Sequence, residues 1–191
     1  MKENLHFAHG NGFPSSCYRQ LLIQLEKRFN CFFIDRVGHT DQFPVTDNWH
    51  YLVDEVKHSI QTQCQTPVIA VGHSLGGVLS LLAAMEQPDM ISKVILLDSP
   101  LLGPLKSSLL RLSKSLGMID HLTPAHRTRA RRRHWQNREQ VWSYLKSKPL
   151  FQTFTDACLN DYIDYGMRKD KVGYSLRFDP SIEYQIYRTI P

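Results

Sequence analysis

Short apolar runs alternate with longer amphipathic stretches over the first hundred residues of the chain. Four compact apolar runs predict strands at residues 4–8, 31–35, 67–71 and 93–98. Between them, apolar residues recur every three or four positions at 18–29 and 49–64, and a longer apolar stretch follows Gly77. These stretches predict helices with a buried face. Apolar strands separated by helices indicate a parallel sheet covered on both faces, an α/β fold.

This alternation stops at Asp98-Ser99-Pro100. Four helical stretches follow, separated by glycine and proline, at residues 105–116, 124–135, 138–146 and 156–165. No strand pattern is evident among them, so this part is predicted to be a helical insertion. The prediction divides the chain into a core at 1–99, a helical cap at 100–185 and a return towards the core at 186–191.

The sequence VGHSLGGV lies between the third predicted strand and the helix that follows it. In a Gly72-x-Ser74-x-Gly76 turn, glycines allow strand and helix to approach closely, and the serine is held above the sheet. The helix N-terminus there favours negative charge, and the N–H of Leu75 is a candidate oxyanion donor. The alternative is a glycine-rich turn with an inert serine, which the flanking strand and helix disfavour.

At this point the chain resembles the α/β-hydrolase superfamily, in particular its small bacterial serine hydrolases with a helical cap. The resemblance covers HGNGFPSSCYRQL as oxyanion loop and first helix, FIDRVGHT as a shifted DxRGHG loop, GHSLGG as nucleophile elbow and VILLDSP as the strand leading to the cap. It implies that Ser74 is the nucleophile and that Asn11 gives the second oxyanion N–H. It also implies loop-supporting roles for three histidines, His9, His39 and His73.

The resemblance also implies an order of Ser, then Asp or Glu, then His along the chain. The sequence ends at YQIYRTIP, where no counterparts of the last strands, the usual acid loop or the histidine loop are found. Asp98 is a candidate acid, as in some branches of the superfamily. Three explanations remain for the base: the chain is a fragment, a cap histidine substitutes (His121, His126 or His134), or the protein does not turn over. The fragment is the preferred explanation, and an unpaired sheet edge that favours self-association is its expected consequence.

The reaction that these residues favour is hydrolysis of an ester, thioester or related carbonyl through an acyl-enzyme on Ser74. A carbon–carbon bond hydrolase or a perhydrolase would keep the same serine. A non-catalytic binding protein that uses the basic cap is the alternative from another class. The substrate is expected to be a small acyl compound, and cap aromatics could line its pocket, with about half of them forming cap core instead: Trp135, Trp142, Tyr144, Phe151, Phe154 and Tyr162.

The net charge of +5 is concentrated in one segment, because residues 106–148 carry eleven Lys and Arg against two acids. The run RTRARRRHW is interpreted as a solvated helix face, since no nucleic-acid motif accompanies it, and a nucleic-acid partner is not expected. Neither the four cysteines nor the nine histidines show metal-ligand spacing, so neither a metal nor a cofactor is predicted. The absence of a long apolar run predicts a cytoplasmic protein without membrane association.

Overall fold

The structure is a computed structural model that describes residues 2–64, 67–101, 103, 113–114, 118–129 and 131–191. Element labels below number the described elements in chain order. A four-stranded parallel sheet contains β1 (Glu3–Ala8), β2 (Phe29–Phe33), β3 (Val68–His73) and β4 (Ile91–Leu97), in the order β2-β1-β3-β4. Phe7 of β1 pairs with Phe33 on one side and with Val71 on the other. The four strands and their parallel arrangement therefore agree with the sequence prediction.

Helices cover both faces of the sheet: α1 (Arg19–Glu26), α2 (His50–Gln63) and α3 (Leu75–Glu86). The main hydrophobic cluster joins α2 and α3 to one face, with Leu52, Val56 and Leu79 fully buried. A second cluster joins α1 to the other face through Leu22 and Phe7. Each helix lies within the range that its apolar periodicity predicted, apart from shifts of a few residues at the ends.

The second half of the chain is not purely helical, which corrects the sequence prediction for it. Its described helices are α4 (Ile119–Leu122), α5 (Ala125–Arg129), α6 (Arg138–Lys146), α7 (Pro149–Gln152), α8 (Asp156–Gly166) and α9 (Pro180–Arg188). Three short strands form a separate antiparallel sheet in the order β5-β7-β6: β5 (His134–Trp135), β6 (Met167–Lys169) and β7 (Tyr174–Leu176). Strands of two or three residues are too short to show an alternating pattern.

Two of the four predicted cap helices agree closely with the structure, a third ends early, and the fourth is not tested by the described residues. Residues 138–146 form α6 as predicted, and α8 covers the predicted 156–165. The predicted helix at 124–135 ends at Arg129, because Trp135 pairs with Tyr174 in the small sheet. The predicted helix at 105–116 lies almost entirely outside the described residues.

Helix α9 was not predicted, although the sequence contains its N-terminal signals. The Asp179 side chain accepts a hydrogen bond from the Ser181 N–H and so caps the helix, and Pro180 occupies its first turn. The helix packs on the main core through Ile186, and the Trp49 indole donates to the Ile186 carbonyl at 3.0 Å. The predicted division into core, cap and return stays a prediction.

The strand β4 borders the sheet on one side, and among the described strands it pairs only with β3. The side chains of β4 do not alternate strictly between buried and exposed positions, and Ile95 is 46% exposed. Over the described part of the chain, no helix has the length and apolar composition needed to cross a membrane.

Candidate active site

Ser74 lies between the end of β3 and the start of α3, in a strained backbone conformation. Its φ is 50° and its ψ is −114°, a combination that residues with a side chain rarely adopt. The Ser74 N–H donates to the Leu97 carbonyl of β4 at 3.0 Å, and the Ser74 carbonyl accepts from Gly77 and Val78 in the first turn of α3. The turn is thus fixed on both sides, and Ser74 remains half-buried at the surface of the site.

The glycines of this turn are required by close approach of the backbone. A Cβ on Gly72 would overlap the backbone of Gly76 and Gly77, and a Cβ on Gly76 would overlap the Ala8 carbonyl of β1. A Cβ on Gly77 would overlap the Ser99 hydroxyl. Gly72 and Gly76 were predicted from the sequence, and Gly77 is an additional residue of the turn, because it packs against Ser99 beyond the end of β4.

The loop after β1 contacts the serine turn directly, because the Gly76 N–H donates to the His9 carbonyl at 3.1 Å. This bond brings Asn11, the predicted second oxyanion donor, to the same end of the sheet as Ser74 and Leu75. Asn11 is buried, and its Nδ2 donates to the Glu183 carbonyl at 2.9 Å. Among the hydrogen bonds of the described residues, none uses the backbone N–H of Asn11 or of Leu75. Neither N–H is therefore committed to another group within the described residues.

Two of the three histidines with predicted loop-supporting roles have both ring nitrogens hydrogen-bonded to backbone groups. His9 Nε2 accepts from the Val37 N–H at 2.8 Å, so its Nδ1 carries the proton and donates to the Gly10 carbonyl. Burial lowers the pKa of His9 to about 4. His39 bridges the Val37 carbonyl and the Asp179 N–H in the same way, and burial also lowers its pKa. These contacts hold both rings in neutral, loop-supporting positions.

The third histidine, His73, connects the serine turn to the loop after β1. The Tyr18 hydroxyl accepts from the Gly10 N–H at 3.0 Å and lies 2.7 Å from His73 Nδ1. Burial lowers the pKa of His73, and the Asp98 carboxylate opposes part of this shift. Asp98 follows β4 with a φ of 46° and is exposed. The structure thus places the candidate acid near His73, and its assignment as triad acid stays a prediction.

The candidate substitute bases of the cap are not joined to Ser74 by any described contact. His126 is exposed and lies 3.1 Å from the Asp120 carbonyl through Nδ1. His134 is an exposed residue of β5. The side chain of His121 lies outside the described part of the structure. No hydrogen bond within the described part links any histidine to the Ser74 hydroxyl.

A cavity of about 490 Å³ opens beside the serine turn, between the loop after β1 and the cap. No aspartate, glutamate, lysine or arginine lines it, and its walls are Phe13, Cys17, Tyr18, Gln20, Leu21, His73, Leu150, Thr153, Phe154, Thr155 and Cys158. Of the cap aromatics that were candidates for a pocket, Phe154 lines this cavity. Trp135, Phe151 and Tyr162 are buried in the core of the cap instead.

The basic segment is not simply a solvated helix face, which corrects its interpretation. Arg131 lies beyond α5, and its side chain donates to the Glu183 carboxylate at 2.7 Å and to the Tyr162 hydroxyl at 2.6 Å. Arg138 pairs with Asp164. Sequence reasoning missed the group formed by Arg131, Tyr162 and Glu183, since its members lie 31 and 52 residues from Arg131 along the chain.

Comparison with known proteins connects this geometry to a family. The chain is 32% identical over 94 residues to 2-(acetamidomethylene)succinate hydrolase of Mesorhizobium japonicum, a match over 48% of this chain and 34% of that protein. It is 34% identical over 110 residues to monoglyceride lipase of Rattus norvegicus, over 53% of this chain and 36% of the lipase. These matches span little more than a third of each relative.

A solved structure, that of E-2-(acetamidomethylene)succinate hydrolase, superimposes with a TM-score of 0.77 at 23% sequence identity. The superposition covers 98% of this chain and 65% of that structure. At this identity it supports the fold alone, and it confirms the predicted parallel sheet flanked by helices. A sequence model of the alpha/beta hydrolase family matches residues 7–182, which include the loop after β1, the serine turn and most of the cap. The chain therefore belongs to the alpha/beta hydrolase family.

Proposed function

We propose that this chain carries the nucleophile and oxyanion donors of a serine hydrolase, which acts on an ester, thioester or related carbonyl. The observation that carries the proposal is the positive φ of Ser74, at the junction of β3 and α3. A strained turn of this kind holds a hydroxyl outward and is maintained because the surrounding glycine contacts over-determine it. The names of two relatives, a hydrolase and a lipase, support the same class of reaction.

In the proposed reaction, the Ser74 oxygen attacks the substrate carbonyl and forms a tetrahedral intermediate with a negatively charged oxygen. The N–H groups of Leu75 and Asn11 are the donors for this oxygen. Each preorganised donor of this kind lowers the activation barrier by about 3–4 kcal/mol. Collapse of the intermediate releases the alcohol or thiol and leaves an acyl-enzyme. Water then attacks the acyl-enzyme, which releases the carboxylic acid and regenerates the serine hydroxyl.

The proposed acyl-enzyme needs a base, because a serine hydroxyl is a weak nucleophile when its proton is not removed. His9 and His39 have no free ring nitrogen for this task. His73 Nδ1 lies 2.7 Å from the Tyr18 hydroxyl, and the His73 ring lines the cavity. None of these three histidines is therefore assigned as the base of the proposed reaction.

The proposed substrate has a neutral, apolar acyl group. The cavity next to His73 has no charged lining residue, and Phe13, Leu150 and Phe154 supply apolar surface. Two arginines of the cap are engaged elsewhere, since Arg131 pairs with Glu183 and Arg138 with Asp164. An uncharged pocket suits the acyl chain of a glyceride better than a succinate, because an unpaired carboxylate is costly to desolvate.

The experiment is labelling of the 191-residue chain with a fluorophosphonate, in buffer with imidazole as a diffusible base. We expect a single adduct, located on Ser74 by peptide mass spectrometry, and no adduct on this peptide in Ser74→Ala. Ser99→Ala is the matched control, since this half-buried serine also contacts the turn, and it should keep the label.

Two outcomes would contradict parts of the proposal. Equal labelling of the wild type and Ser74→Ala would exclude Ser74 as nucleophile. Labelling of Ser74 at the same rate with and without imidazole would show that a residue of this chain already acts as the base, although no described hydrogen bond joins a histidine to the Ser74 hydroxyl.

A further inference from the structure

The loop that carries Asn11 is held from the cap side by one residue of α9, Glu183. Asn11 Nδ2 donates to the Glu183 backbone carbonyl at 2.9 Å. Gly12 follows with a φ of 82°, and a Cβ built on it would lie 2.8 Å from Glu183 Oε1. The main chain and the carboxylate of Glu183 therefore both contact the loop, and the carboxylate occupies the space that a side chain at residue 12 would need.

The Glu183 carboxylate is itself fixed by Arg131, and Arg131 by Tyr162. One guanidinium nitrogen of Arg131 lies 2.7 Å from Glu183 Oε2 and the other lies 2.6 Å from the Tyr162 hydroxyl. Glu183 is 6% exposed and Tyr162 is 1% exposed. Burial raises the pKa of Glu183, and the charge of Arg131 opposes this rise. The ring of Tyr162 lies 5.0 Å from that of Phe13, the residue after Gly12.

These contacts form one connected group that reaches the loop from separate parts of the cap. Arg131 comes from the segment after α5, Tyr162 from α8 and Glu183 from α9. A buried carboxylate keeps a fixed position only while its charge is paired, since an unpaired one either moves towards water or takes up a proton. The position of the loop thus depends on a cap arginine that has no described contact with Ser74.

We propose that Arg131, Glu183 and Tyr162 are positioning residues that set the backbone of Asn11 and Gly12, so that the Asn11 N–H keeps the direction needed to bind a negatively charged oxygen. This inference rests on the proposed function of Ser74. It assigns to the cap a part in forming the oxyanion site, in addition to lining the cavity.

The first test is hydrogen–deuterium exchange of the peptide that contains residues 9–14, in the wild type and in Arg131→Met. We expect amide exchange in this peptide to become faster by about tenfold or more, while peptides from β1 and α2 stay unchanged. Tyr162→Phe is the milder variant, because it removes only the hydroxyl, and it should give a smaller change in the same direction. Arg138→Met is the matched control, as it breaks another arginine pair of the cap away from the loop.

The second test is the rate of fluorophosphonate labelling at Ser74, measured with imidazole in the same variants. We expect Arg131→Met to lower the rate of the covalent step by about tenfold to a hundredfold, since misplacing an oxyanion donor acts on the step that forms charge. The concentration of probe at half-maximal rate should change little. Arg131→Lys should recover part of the rate, because it retains a cation at Glu183.

Unchanged exchange at residues 9–14 in both Arg131→Met and Tyr162→Phe would overturn the inference, whatever the labelling shows. Faster exchange without slower labelling would also overturn it, because the loop position would then not matter to the serine. Failure of the proposed function is a separate result: Ser74→Ala would then label like the wild type. If Arg131→Met does not fold, Tyr162→Phe decides the outcome.

Discussion

Glu55 is a buried carboxylate whose ionisation opposes folding. It lies on α2, 5% exposed, and its Oε2 accepts the Gly38 N–H at 2.7 Å, which fixes the loop after β2. This single hydrogen bond does not offset the loss of water, and burial raises the pKa of Glu55 from 4.5 to about 7. The protein thus uses a carboxylate to hold Gly38 at a φ of 76° and loses stability when that group ionises.

The sign of the effect follows from the folded state binding the proton more tightly than the unfolded state does. The contribution of protonated Glu55 to the free energy of unfolding is complete below about pH 4.5 and is lost as the pH rises to about 7. The difference is on the order of 3 kcal/mol. We expect Glu55→Gln, which keeps an acceptor for Gly38, to raise the free energy of unfolding at pH 8 and to change it little at pH 4.5. Urea unfolding at both pH values measures this. Glu3→Gln, at an exposed site, is the control, and an equal effect of Glu55→Gln at both pH values would contradict the prediction.

Residues near Ser74 differ in how far the sequence reveals them. The turn around Ser74 is local, so glycines two positions away on either side were sufficient to predict it. Glu55 and Arg131 act on loops through partners 17 and 52 residues distant, and no spacing in the sequence reports such pairs. Long-range ionic contacts become visible only when the fold has brought the elements together.

At the scale of elements, the sheet core was predictable and the cap only in part. The inner strands β1 and β3 are buried for most of their length, and the border strands β2 and β4 are partly exposed, but all four are marked by apolar runs in the sequence. In the cap, α6 and α8 have long amphipathic patterns and capping residues, Asn137 and Thr155, whose side chains accept from the first turn. The short strands β5 to β7 have neither, and their formation depends on Trp135 and Tyr174 meeting across the chain.

Helix α8 also limits the size of the cavity next to His73, since Cys158 in its first turn lines this cavity together with Tyr18 and His73. We expect Cys158→Trp to slow labelling of Ser74 by a long-chain alkyl fluorophosphonate about tenfold and to leave a short-chain probe unaffected, because the indole fills apolar volume. Tyr165→Trp places a similar ring on the exposed side of the same helix and serves as the control. Equal slowing of both probes would show that the cavity does not receive the acyl chain.

At the scale of the whole molecule, the sheet has an edge at β4 with unpaired backbone groups in the part of the chain that the structure describes. Parallel strands are normally interior strands, and an exposed one offers hydrogen-bonding groups to another chain. Ile95 adds an apolar side chain that is 46% exposed on this edge. A second copy of the chain is the partner that is always present in solution, so we propose self-association through β4.

Sedimentation velocity over a series of protein concentrations tests this proposal. We expect the wild-type chain to show concentration-dependent dimers or larger species and Ile95→Lys to shift the distribution towards monomer, because a charge at an edge opposes strand pairing. Met85→Lys introduces the same charge at a site that is 72% exposed on α3, and it should leave the distribution as in the wild type. A monomeric wild type, or equal effects of both lysines, would mean that β4 does not pair between copies. In that case Lys93, a charged residue within β4, would protect the exposed edge, because charged side chains on edge strands oppose pairing with another chain.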